Sequence, residues 1–221
     1  DRVFQKYCAQ VGLDYANMGK EEKAKRRKPL KNINFGLIYG QTQKSLAYKA
    51  GMADKDADEF FATYHESAPY VKPTMAAIAG EVQRLGYITT ILGRRVRFNL
   101  WEPYKHDKRN KPLRYADALD AYGKGIKRAG DYKGTNYKFQ GSAADVMKAG
   151  MLRAYQDGVF DVTGYPKMQV HDELDFSVID DSPAQNEAYA HLRYCLENAI
   201  SGLSIPLYVD SGRGVNWGEI E

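Results

Sequence analysis

Two short strings carry the residue types that chemistry needs. In Gln169-Val170-His171-Asp172-Glu173-Leu174 an imidazole and two carboxylates are consecutive. Strand-like alternation on both sides, over residues 167–179, predicts a β-hairpin with this polar group at its tip. Side chains alternate across a strand, so His171 and Glu173 face one way and Asp172 the other unless the turn reorients them. Vicinal carboxylates at a tight tip are hard oxygen ligands suited to Mg²⁺, which keeps several waters and shares its sphere with substrate phosphates. A solvated turn is the plainer reading of such a loop. The second string runs from Arg26 to Gly40. In a helix, Arg27, Lys31, Phe35 and Tyr39 recur every fourth residue along a stripe roughly 18 Å long. Two cations can pair with a polyphosphate, and two rings further along can stack on a base and sugar. Pro29 is expected in the first helical turn, which leaves free backbone N–H groups near Arg27 and Lys28, where anions are also attracted.

The elements that must position these residues follow from periodicity. Val3, Phe4, Tyr7, Cys8 and Val11 have helical spacing up to Gly12, and a short helical stretch on Ser45, Leu46 and Tyr48 closes at Gly51. Residues 54–68 and 71–85 read as amphipathic helices, the first stopped by Pro69 and the second by Gly86. Tyr87 to Leu92 is β-branched and apolar and reads as a strand ending in Gly93-Arg94-Arg95. Residues 101–135 are polar and basic and are expected to be an inserted loop. From Asn136 a helix is expected, with Asn136 and Gln140 on one face, where their amides can reach minor-groove acceptors.

Composition narrows the function classes. The chain has 221 residues, 43% of them hydrophobic, which is enough for a core. No apolar run approaches the ~20 residues of a bilayer span, and no signal-peptide pattern opens the chain. An intracellular location is expected, cytoplasmic or nucleoid-associated in a bacterial or virus-infected cell, and no membrane partner. Cys8 and Cys195 are far apart, which argues against a disulfide scaffold. Four histidines without Cys-x-x-Cys or His-x-x-x-His spacing give no zinc signature. Net charge is only +4, yet the cations are clustered: residues 20–31 hold seven Lys or Arg against Glu21 and Glu22. Clustered cations among aromatic rings are the footprint of a nucleic-acid surface, and also of a solvated face.

Taken together the strings are specific. Arg27-x-x-x-Lys31 followed by Asn34-Phe35-Gly36-x-x-Tyr39-Gly40 resembles the fingers helix, motif B, of the family A DNA polymerases, the DNA polymerase I type. Gln169 to Leu174 resembles palm motif C of that family and follows in the family's order. Gly86-Tyr87-x-x-Thr90-x-x-Gly93-Arg94-Arg95 and Asn136-x-x-x-Gln140-Gly141-x-Ala143-Ala144-Asp145 are similar to two intervening family strings. Ile205 to Asp210 and Gly214-Val215-Asn216-Trp217 are similar to the last palm strand and the C-terminal tail.

The resemblance implies an α+β fold, helical fingers plus part of an antiparallel palm sheet with a catalytic β-hairpin, an incomplete right hand. Residues 1–100 would be mainly helical fingers, with the nucleotide-binding helix near 29–50. Residues 101–135 would be a basic insertion, and 136–221 the palm portion. It further implies template-directed addition of dNTPs to a primer 3′-hydroxyl with two Mg²⁺ ions. Asp172 would ligate metal, supported by Glu173. Arg27 and Lys31 would hold the triphosphate, Lys31 nearest the reacting phosphates and catalytic for that reason. Phe35 would pack on the incoming nucleotide, and Tyr39 would occupy the templating position in open fingers. His171 and Gln169 would touch the primer strand, and Asn136, Gln140, Arg94 and Arg95 the DNA. Family members with tyrosine in place of Phe35 tolerate dideoxynucleotides, so poor use of terminators is implied.

A first palm carboxylate, in a string like Asp-Tyr-Ser-x-x-Glu-x-Arg, has no match: Asp14-Tyr15-Ala16-Asn17-Met18 lacks the glutamate and the arginine. The expectation is a fragment or processed product, inactive alone, that needs an upstream segment or partner chain with the thumb and that aspartate. Phage-type single-subunit RNA polymerases share an Arg-x-x-x-Lys…Tyr-Gly helix and a His-Asp loop; Phe35 and Glu173 favour the DNA enzymes. A non-catalytic DNA-binding remnant is the third reading, against which Asp172 is present.

Overall fold

The structure, a computed structural model, describes residues 5, 8, 14–38, 44, 45, 48, 54–105 and 110–220; for 26–34, 54–57, 59 and 60 it describes the backbone alone. The expected helix up to Gly12, the stretch around Leu46 and the position of Tyr39 therefore lie largely outside the described residues. Among the described residues the fold mixes helices with three two-stranded antiparallel ladders. It divides into two compact units, residues 1–139 and 140–221.

In the first unit, Ala, Glu, Lys and Arg run from Lys20 onward, all strong helix formers, and helix α1 spans Lys20–Ile38 with Glu21 and Glu22 in its first turn. This corrects the expected place of Pro29. It lies mid-helix, so α1 forgoes one backbone hydrogen bond there, and the free N–H groups of its start are nowhere near Arg27. Favourable propensity on both sides of the proline outweighs that local cost. Helices α2 (Asp54–Ser67) and α3 (Val71–Leu85) fall where periodicity puts them. Gly86 ends α3 in the left-handed conformation, φ 75°, its N–H bonded to the Val82 carbonyl.

Strand β1 (Tyr87–Thr89) then pairs with β2 (Arg95–Arg97), Ile88 opposite Val96, and so is shorter than the expected run to Leu92. Ile78 and Val82 of α3, Ile88 of β1 and Phe98 form a buried cluster with Val96 against it. Residues 101–135, expected as a loop, carry regular structure in their described part. Strand β3 (Trp101–Pro103) pairs with β4 (Ile126–Arg128), and helix α4 (Tyr115–Tyr122) lies between them in sequence. The polar composition concealed this because the two strands pair across some twenty residues and bury few side chains.

Helix α5 (Gly134–Gln156) contains the boundary between the units. In the second unit, helix α6 (Val159–Thr163) and helix α7 (Pro183–Glu197) bury Ala154, Val159, Phe160, Leu192 and Cys195. Ser182 caps α7, accepting from the Gln185 N–H, and Pro183 stands at the first helical position. The hairpin of β5 (Met168–Val170) and β6 (Glu173–Asp175) completes this unit. Ile205–Asp210, expected as the last palm strand, is in no ladder. Its residues alternate in burial as a strand's would, with Leu207 and Val209 the less exposed, but a strand exists only through a hydrogen-bonded neighbour. Here the Val209 N–H donates instead to the Glu197 carboxylate.

Candidate active site

The carboxylates sit on the shortest hairpin a chain can make. Val170 and Glu173 are partners across the ladder, so His171 and Asp172 alone form the turn. Positive φ at a central position is what gives such two-residue turns the twist of their strands, and His171 supplies it at φ 56°. That region is unfavourable for a residue with a Cβ, and His171 is the only non-glycine to adopt it among the described residues. Gln169 Nε2 donates to the His171 carbonyl at 3.4 Å, which steadies the turn.

At the other end, the Lys167 N–H donates to the Asp175 carbonyl at 2.7 Å. Phe176 follows β6 and meets Phe160 at 6.2 Å and Tyr189 at 5.7 Å between ring centroids. The apolar base is thus locked to the core of the second unit, while Gln169, His171, Asp172 and Glu173 are all exposed. Asp172 lies in the turn itself, and of the two carboxylates only Glu173 belongs to a strand.

In the first unit, Arg27 and Lys31 lie on α1 as expected, with only their backbone described. Phe35 is 39% exposed although Gly36 and Leu37 beside it are buried, so the helix end presents a ring to its surroundings. Arg94 and Arg95 are exposed at the β1–β2 turn. The turn is closed by Thr90, whose N–H donates to the Arg94 carbonyl at 2.9 Å and whose hydroxyl accepts from the Arg94 N–H at 3.1 Å. The Arg95 guanidinium lies 4.8 Å from the centre of the Tyr87 ring.

Asn136 is half-buried and Gln140 exposed, one turn apart on α5. The start of that helix is held by Lys138 against Glu81 at 2.9 Å and by Tyr137 against Phe98 at 6.0 Å. A Cβ on Gly134 would come within 2.9 Å of Val82 Cγ2, so the helix approaches α3 as closely as backbone can.

The model of the DNA polymerase family A matches residues 8–219. The chain belongs to DNA polymerase family A. It is 30% identical over 193 residues to the thermostable DNA polymerase I of Thermus filiformis, covering 87% of this chain and 20% of that protein. To the DNA polymerase I of Synechocystis it is 32% identical over 209 residues, 91% of this chain and again 20% of the relative. The chain therefore spans about a fifth of the length of the curated relatives it matches. Among solved structures, the polymerase domain of Pol1 from M. smegmatis, in complex with DNA primer-template and dNTP, superposes with a TM-score of 0.67 at 24% identity. That match covers 93% of this chain and 31% of the other, and establishes the likeness of fold.

For a family A chain, the donor set at the hairpin fits Mg²⁺. Two adjacent carboxylates are exposed at a rigid turn, and no ion pair among the described residues takes up either one. Mg²⁺ is held by one or two carboxylates together with substrate phosphates and water, which is what such a tip can offer.

Sequence reasoning missed the polar network that ties α3 and the residue after β2 to β4. Arg128 donates to the Phe98 carbonyl at 3.0 Å and to the Gln83 carbonyl at 3.3 Å, and stacks 4.6 Å from the centre of the Trp101 ring. Gln83 returns a bond from Nε2 to the Arg128 carbonyl and another to Asp131, both 2.9 Å. Lys127 bonds Asp131 at 3.3 Å. These two cations of the basic segment are engaged within the fold, and only their neighbours in space reveal it.

Proposed function

We propose that this chain carries the fingers and part of the palm of a template-directed DNA polymerase, residues 1–100 and 136–221 respectively, with 101–135 as a family-atypical insertion. The observation that carries the reading is the exposed Asp172-Glu173 pair on a two-residue turn, within a family match that spans nearly the whole chain.

The reaction joins the primer 3′-oxygen to the α-phosphorus of a dNTP and breaks the bond to the β-phosphate, releasing pyrophosphate. When bound, Mg²⁺ supplies charge stabilisation for the attacking and leaving oxygens. Asp172 would hold it, with Glu173 beside it. Arg27 and Lys31 grip the triphosphate from one side of α1, and Lys31 neutralises charge that builds on the leaving phosphates. Phe35 packs on the sugar and base, and Tyr39 takes the templating position until a nucleotide enters. Gln169 and His171 orient the primer end, which matters because a small misplacement of the attacking oxygen costs most of the rate. Asn136 and Gln140 contact minor-groove acceptors shared by all base pairs, while Arg94 and Arg95 pair with backbone phosphates. A second carboxylate of the Asp-Tyr-Ser-x-x-Glu type and the thumb come from a preceding segment or another chain, and the assembly works inside the cell on primer-template DNA.

The test is a fusion of these residues to the thumb and first palm carboxylate of a family A relative. Primer extension with dNTPs and Mg²⁺, favoured strongly over NTPs and abolished by Asp172→Asn, is expected. Extension that survives Asp172→Asn overturns the assignment, as does a fusion that binds primer-template but never extends it.

A further inference from the structure

We propose that Asp157, His191 and Cys195 form a binding site for a divalent transition-metal ion of the Zn²⁺ class, separate from the carboxylate hairpin. One nitrogen, one oxygen and one sulfur donor of these residues all lie within 4.8 Å of one another. Two of the three separations are directly known: His191 Nε2 is 2.9 Å from Asp157 Oδ2, and Cys195 Sγ is 3.5 Å from the same oxygen. Zinc bonds of roughly 2.0–2.3 Å in tetrahedral geometry place neighbouring donor atoms roughly 3.3–3.7 Å apart. The two known separations need shifts of only a few tenths of an ångström to admit an ion, which replaces two hydrogen bonds by three metal bonds and releases the thiol proton to solvent.

The three residues come from rigid places in one unit. His191 and Cys195 are one turn apart on α7, on one face. Asp157 follows the last turn of α5, its N–H bonded to the Arg153 carbonyl. Cys195 is fully buried at the base of the group, whereas the His191 and Asp157 side chains are 45% and 35% exposed. Solvent thus reaches the outer side, where water would complete a tetrahedron. Arg153 is nearby, its Nε 3.9 Å from Asp157 Oδ2. Its guanidinium is held elsewhere, by the Asn198 carbonyl at 2.9 Å and over the Tyr194 ring at 4.8 Å. Its charge lowers affinity without occupying the donors. A nucleophilic role for the thiol is disfavoured, because Cys195 is inaccessible and bonds to the carboxylate rather than to the imidazole. The ion would staple the end of α5 to α7. The signature escaped sequence inspection because His-x-x-x-Cys is joined by an aspartate 34 residues before the histidine.

The test is titration of the purified 221-residue chain with Co²⁺ in chelator-free, reducing buffer, read by the visible d–d bands and the thiolate-to-metal charge-transfer band. One equivalent is expected to saturate both, with Zn²⁺ displacing it. Cys195→Ser should abolish the charge-transfer band, and His191→Gln, at an exposed position that does not endanger folding, should weaken binding at least tenfold; Cys8→Ser should leave both unchanged. Absence of the bands, or bands that persist at full affinity in His191→Gln, overturns the proposal.

Discussion

At the scale of single residues, the proposed function rests most heavily on the hairpin tip. Replacing Asp172 by Asn keeps the size and exposure of the side chain but removes the anionic ligand. Primer extension by the fusion enzyme is expected to fall by about a hundredfold or more with folding unchanged, checked by single-turnover kinetics beside circular dichroism. His171 presents a different balance. Its φ of 56° is costly for any residue with a Cβ, so His171→Gly is expected to stabilise the chain by up to about 1 kcal/mol while slowing extension. A loss of both stability and activity in denaturant titration would show that the imbalance is not there. Phe35 tests the nucleotide face of α1: Phe35→Tyr in the fusion should raise dideoxynucleotide incorporation relative to dNTPs. Equal incorporation by both forms removes the proposed role.

At the scale of elements, the joint between α3 and β4 closes on Gly86. Gly86 is required twice, by its φ of 75° and because a Cβ there would lie 2.6 Å from Arg128 Cζ. Gly86→Ala is therefore expected to destabilise the first unit by roughly 1–3 kcal/mol, read as a lowered denaturation midpoint. Helix α2 carries a pH dependence. His65 is held below its usual 6.5 by burial first and by the Lys72 charge second, and its Nδ1 is buried with no hydrogen-bond partner among the described residues. Folding thus favours the neutral ring, a contribution present above 6.5 and lost as pH falls from there toward the folded value. Thermal stability should decline over that acid range, and His65→Gln should flatten the decline.

At the scale of the whole molecule, the proposed function predicts that the clustered cations give the chain a diffuse attraction for nucleic acid even though net charge is small. The isolated chain is expected to bind primer-template DNA with affinity that falls roughly tenfold or more between about 50 and about 200 mM salt, yet to incorporate no dNTP. Fluorescence anisotropy and a gel extension assay check the two halves separately. Robust extension by the chain alone would show that the Asp-Tyr-Ser type carboxylate is dispensable or present in another guise.

The family, the helices α2 and α3, and the polar tip of the hairpin were determined by the sequence alone. Each depends on local spacing: a helical period with a proline or glycine stop, or a run of side chains specific enough to name a fold. Other features had no local signal. Pro29 lies inside α1 because propensity over nineteen residues outweighs one lost bond. Strands β3 and β4 read as loop, since their pairing joins Trp101 to Arg128 across a polar span. Lys127 and Arg128 belong to a segment that reads only as polar and basic, and Asp131, Gln83 and Trp101 around them are visible in the fold alone. The Asp157, His191 and Cys195 group exists only where two helices meet. Contacts between residues distant in sequence are made by packing, and packing is what the tertiary structure alone decides.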